Sequence, residues 1–111
     1  VGDSYNTLTA GGTGTYKKYV ALLTQEGTAA PTARVLENEF GTIAWTRTSA
    51  GVYTGTLANA FTANKTWLII TNIISITVAS IVRTSANVVT IDTVGSDTVL
   101  SNTSIEIRVY A

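Results

Sequence analysis

Ser104-Ile105-Glu106-Ile107-Arg108-Val109-Tyr110, the stretch SIEIRVY, decides the fold class of this chain. Ile105, Ile107 and Val109 alternate with Glu106, Arg108 and Tyr110. That period of two sends one set of side chains inward and the other outward along a half-buried β-strand. A single strand of this kind needs neighbours, so the rest of the chain is read for more of them.

Working back from Ser104, Gly95-Ser96-Asp97 reads as a turn and Val88 to Val94 as the strand before it. Thr66 to Ile70 and Ile73 to Arg83 are apolar and β-branched, which predicts central strands buried on both sides. Ile43 to Thr48 and Val52 to Leu57 flank Ser49-Ala50-Gly51, a hairpin with Gly51 at positive φ. Ala33 to Leu36 is a short strand before the turn Glu37-Asn38-Glu39-Phe40-Gly41. Pro31, the only proline, stops a ladder ahead of it. Tyr16 to Thr24 opens the series, with Tyr19, Ala21 and Leu23 on one face. The count is seven to nine short antiparallel strands, the pattern of an all-β sandwich, jelly-roll-like. Residues 1–15, rich in Gly and Thr and without periodicity, read as a flexible arm or linker ahead of a single domain, 16–111.

Composition agrees with that class and excludes several functions. Threonine supplies about a fifth of the 111 residues, and it suits a pleated, half-buried surface. Lys+Arg and Asp+Glu number 7 each, for a net charge of zero, so no field draws in nucleic acid or an anionic membrane. The apolar run Trp67 to Ile76 is interrupted by Thr71, Asn72 and Ser75 and is too short for a membrane-spanning helix. The first residues lack the basic start and apolar centre of a signal peptide.

Histidine and cysteine are both absent. Their loss removes the usual general base, thiolate nucleophiles and most metal-ligand sets, and a non-enzymatic protein without a cofactor is expected. Glu37 and Glu39 would lie on the same side of an extended segment, as a paired-carboxylate hydrolase requires; the plainer reading is a solvated turn. Asp92 and Asp97 bracket a Gly-containing turn and could offer oxygen to calcium, although no calcium-loop spacing accompanies them. The plainer role for Asp97 is capping its own turn. Among the aromatics, Trp67 sits in an apolar run and reads as core. Trp45 alternates with Ile43 and also reads as buried, while Tyr53 and Tyr110 read as near the surface or an interface. Trp45, Tyr53 and Tyr110 are the candidate ligand or interface residues.

The segment Tyr16 to Ile69 and the closing IEIRVY carry a set of words: YKKYVALLTQ, AP, VLEN, the GTIAWT hairpin entry, GVYTGTL and FTANKT. As a set they resemble a family of small structural proteins of tailed bacteriophages of Bacteroidetes-type hosts, over nearly all of 16–111; residues 1–15 are additional to it. The resemblance implies a virion-associated module: a capsid decoration, head-fibre or tail-associated protein that works by self-assembly and display beside other virion proteins. A homo-oligomer is expected, a trimer by analogy between folds. The alternative is a carbohydrate-binding or adhesin module for a host surface glycan, stacking sugar rings on exposed Trp and Tyr.

Overall fold

Alternate burial, legible in SIEIRVY, recurs along most of the strands described. The computed structural model describes residues 15–71 and 79–111. Its described residues form eight strands and no helix: β1 (Tyr16–Thr24), β2 (Thr32–Asn38), β3 (Ala44–Ser49), β4 (Val52–Thr56), β5 (Thr66–Thr71), β6 (Ser80–Ser85), β7 (Val88–Asp92) and β8 (Thr103–Tyr110). The expected arm, residues 1–15, lies outside the description except for Thr15. So does much of the strand expected at Ile73 to Arg83, of which Ser80 onward forms β6.

Two four-stranded antiparallel sheets, ordered β2-β1-β8-β5 and β3-β4-β7-β6, make the β-sandwich. β8 occupies the centre of the first sheet, where Ile107 faces Tyr19 on one side and Leu68 on the other, and Ile105 faces Ala21 and Ile70. In the second sheet Tyr53 and Ile91 are opposite each other, with Ile81 beyond. These inward side chains form one core, closed at the loops by Phe61, Val99 and Leu100. Burying each large apolar side chain contributes roughly 1.5–3 kcal/mol relative to exposure.

Gly55 shows how the second sheet handles a bare position. It lies opposite Trp45, and a methyl group there would come within 2.8 Å of the Trp45 ring. The indole thus covers the glycine and fills the space a side chain would have taken. Trp45 is half-buried as a result, and its Nε1 donates to the Tyr19 hydroxyl of the other sheet at 3.3 Å.

Three expectations are corrected. β5 and β6 are edge strands, not central ones; the centres are β1 with β8 and β4 with β7. An apolar β-branched run looks the same whether its second face meets protein or water, which is why periodicity misplaced it. Trp67, read as core, is 41% exposed on the outward face of β5, beside Ile69 at 42%. Tyr53, read as near the surface, is wholly buried, because its hydroxyl finds internal partners.

Candidate functional site

The outward face of β1, β8 and β5 gathers the chemistry that the interior excludes. Alternation along β8 turns Glu106, Arg108 and Tyr110 away from the core, and register places Lys18 and Trp67 on either side of Arg108. Tyr16 lies opposite Tyr110, and Val20 opposite Glu106 with Ile69 beyond. The Arg108 guanidinium sits 4.8 Å from the Tyr16 ring centroid and 4.6 Å from that of Trp67. Trp67 reaches it from directly across on β5, whereas Tyr16, opposite Tyr110, reaches it diagonally from β1. A planar cation between two rings is favourable because each ring offers its negative face.

Further contacts lock this arrangement. Arg108 Nε donates to Glu106 Oε2 at 2.7 Å and its Nη1 to the Tyr110 hydroxyl at 3.3 Å. Tyr110 packs on Tyr16 with centroids 4.9 Å apart. The Glu106 carboxylate, and then the Tyr110 hydroxyl, hold the Arg108 pKa above its ordinary value. The guanidinium is a fixed charge at any pH of interest. Tyr110 is thus drawn together with Tyr16 and Trp67, and not with Trp45 or Tyr53.

The carboxylates singled out in the sequence are otherwise engaged. Glu37 pairs with Lys18 Nζ at 2.7 Å, and Glu39 accepts the Lys18 backbone N–H at 2.9 Å. Glu37, and after it Tyr16 and Glu39, raise the Lys18 pKa. Asp92 accepts the Val94 N–H at 2.7 Å in a local turn. Among the described residues no three acidic side chains gather where a metal ion could be held.

Asp97 does not cap its own turn; it anchors a strut through the second sheet. Its carboxylate accepts from Arg47 Nη2 at 2.8 Å and Nε at 3.2 Å, from the Gly51 N–H at 3.0 Å and from the Tyr53 hydroxyl at 2.6 Å. Arg47 first, and Tyr53 and Gly51 after it, hold the Asp97 carboxyl well below the usual carboxylate range. The single Tyr53 proton is shared with Gln25 Oε1 at 2.9 Å. Burial, reinforced by Asp97, pushes the Tyr53 pKa up to about 12. Gln25 is itself buried; its Oε1 accepts the Thr98 N–H, and its Nε2 donates to the carbonyls of Gly27 and Ala29. Sequence reasoning passed over Gln25, since an isolated polar residue in a loop carries no periodic signal.

Among the described residues, two clefts border candidate residues. One of about 510 Å³ lies at the end of the sandwich between Tyr16, Phe40, Leu57 and Tyr110. The other, about 310 Å³, runs between the edges of β2 and β3 and is lined by Tyr19, Ala33, Val35, Ile43 and Trp45. Of the candidate residues, Trp45 borders this groove, Tyr110 borders the end cleft and Tyr53 borders neither. No protein-family model matches the chain, and no curated protein or solved structure compared with it is similar to it.

Proposed function

We propose that the chain is a structural module of a tailed-phage particle, acting by self-association and display and not by catalysis. The observation that carries this reading is the outward face of β1–β8–β5, where Trp67 and Ile69 stand exposed around an internally neutralised pile of rings and charge. Exposed large apolar side chains grouped on one face mark a contact surface in a soluble protein. Placement on a virion rests on the resemblance of the YKKYVALLTQ to IEIRVY words. The engagement of Glu37 and Glu39 by Lys18 favours contact over hydrolysis. Mass spectrometry of purified particles, together with sedimentation of the isolated chain, tests the reading. A chain that is absent from particles and monomeric at every concentration refutes it.

A second reading, a glycan-binding module, draws on the same face, because Tyr16, Trp67 and Tyr110 present three rings there. Sugar rings stack on such platforms through their apolar faces. A glycan array probed with the wild type and with Trp67→Ala decides it: captured glycans that the variant loses support it, and an array without binding removes it.

A further inference from the structure

We infer that β5 is the edge by which two copies of this chain join, antiparallel across a two-fold axis at Leu68, so that their first sheets run on as one. This pairing rests on the assembly reading above and supplies its contact.

Of the four edge strands described, three are broken and β5 is not. Leu36 is the extra residue where the pairing of β2 with β1 shifts, Thr48 the extra residue on β3 and Thr84 the extra residue on β6. Charges stand beside each: Arg34 and Glu37 on β2, Arg47 turned inward to Asp97 on β3, and Arg83 turned inward to the Phe61 carbonyl on β6. Bulges and charges of this kind discourage a strand from adding to a sheet edge. β5, TWLIIT, carries no charge and no proline, and it keeps an unbroken register with β8 from Thr66 to Thr71.

The phase of the β5–β8 ladder shows what that edge offers. The Tyr110 N–H donates to the Lys65 carbonyl, and hydrogen-bonded positions alternate along an antiparallel pair. Trp67, Ile69 and Thr71 therefore turn their main-chain groups toward β8. Thr66, Leu68 and Ile70 turn an N–H and a C=O each to the open side. When Leu68 is set against Leu68 of a second copy, Thr66 falls opposite Ile70, and every open group of both strands is bonded. A slide of one residue would set outward side chains against inward ones. A slide of two leaves Thr66 or Ile70 without a partner in the strand.

This reciprocity selects the occupant. On the outward face Trp67 lies opposite Ile69 of the second copy on each side of the axis, an aromatic and β-branched pair that stabilises neighbouring strands. On the inward face Leu68 meets Leu68. Lys65 falls opposite Thr71, so no like charges meet. A strand already held in a sheet also avoids the ordering that a free peptide would undergo. No other edge of this protein answers β5, since each of the rest is bulged. Six main-chain bonds are what a contact of roughly 600–1,200 Å² carries at one per 100–200 Å². That is the size of a weak, concentration-dependent association, which many copies held on a particle would reinforce through effective concentration.

The test joins sedimentation velocity of the full chain, across a concentration series, to cysteine cross-linking. Thr66→Pro removes an N–H that serves the open edge and not β8, at the first position of a strand, where proline is tolerated. Thr66→Val, which loses only the hydroxyl bonded to the Thr62 carbonyl, is its control. Expected is a reversible dimer in the wild type and in Thr66→Val, weakened about tenfold or more in Thr66→Pro, because two of the six bonds lose their donor. The chain has no cysteine of its own, so single replacements read the register whatever becomes of the proline variant. The two Leu68 positions would stand about 5.5 Å apart at the axis, within reach of a disulfide, and Leu68→Cys should oxidise to a dimer. Ile70→Cys, with about 14 Å between its copies along the strands, should not. Cross-linking of Ile69→Cys in place of Leu68→Cys puts the contact on the outward face, which overturns the edge and leaves the assembly reading standing. Dimerisation unchanged in Thr66→Pro overturns it equally. A wild type that stays monomeric up to about 1 mM overturns the pairing, while particle composition judges the assembly reading separately.

Discussion

Gly51→Ala should be among the most damaging single-methyl additions available in this protein. Gly51 holds φ at +72° in the β3–β4 hairpin, and an added Cβ would lie 2.7 Å from the backbone nitrogens of both Gly95 and Ser96. Backbone cannot swing aside as a side chain can, so the turn at 93–97 must move as a unit. That movement strains the Gly51 N–H to Asp97 bond at 3.0 Å and the Thr93 N–H to Gly51 carbonyl bond at 2.8 Å. Left-handed backbone costs an alanine roughly 1–2 kcal/mol, and each weakened hydrogen bond costs about 1 kcal/mol. The expected loss is about 3–4 kcal/mol, a large share of the stability of a domain this size. Gly95→Ala separates the two causes, since Gly95 has φ +78° but nothing within 4 Å of an added Cβ. It should lose only the conformational part, roughly 1–2 kcal/mol. Urea unfolding with matched m-values measures both variants. If Gly51→Ala costs no more than Gly95→Ala, close approach of the two turns is not what demands the glycine.

The other predictions concern the second sheet. Gly55→Ala should cost about 1–3 kcal/mol by overpacking, less than Gly51→Ala because the atoms in the way belong to the side chains of Trp45 and Ile43; a shift in Trp45 emission in a Trp67→Phe background checks it. Tyr53→Phe leaves Asp97 and Gln25 short of a donor and should cost roughly 1–3 kcal/mol at neutral pH, read by urea unfolding. The Tyr53 pKa lies at about 12 in the folded chain, above its ordinary value of 10.0. Its contribution is therefore complete below pH 10 and lost as pH rises from 10 through 12, so the gap between wild type and Tyr53→Phe should narrow over that window. Asp97 has the opposite sign: its folded pKa lies below the ordinary 3.8, so its contribution is present above that value and lost as pH falls beneath it. Asp97→Asn should accordingly lower stability at pH 7 and flatten the acid limb of an unfolding profile; an unchanged limb would count against the strut.

The sheet content was legible because burial in a sandwich alternates and sequence alternates with it, as Ile105, Ile107 and Tyr19 show. The hairpin at Gly51 was legible because positive φ selects glycine. Which strands lie at the edges was not. Trp67-Leu68-Ile69-Ile70 is apolar at every position, so the pattern carries no mark of a face left open. Tyr53 misled for a related reason: a hydroxyl says that a polar partner is needed, and only the fold shows whether that partner is water or a buried Asp97. Gln25 and Asp97 stand 72 positions apart in sequence, and no local rule connects them. The candidate face was half visible, since Tyr110 was named while Trp67, its strongest member, was assigned to the core.

The two outward faces of the sandwich differ in the chemistry they offer to water. On the second sheet, Thr46 and Thr54 face each other with hydroxyls 2.6 Å apart, and Thr54 stands opposite Thr90 in the next pair. Thr84 pairs with Thr90 through hydroxyls 2.5 Å apart. Cross-strand hydroxyl pairs of this kind stabilise a sheet and still present donors and acceptors to water. The first sheet presents Trp67, Ile69, Tyr16 and Tyr110, with its charges already paired. Covering the aromatic face removes apolar surface from water at roughly 25 cal/mol per Å², whereas covering the threonine face gains little and risks stranding hydroxyls. The two faces therefore differ in what covering them would release: apolar surface on the first sheet, water bound to hydroxyls on the second.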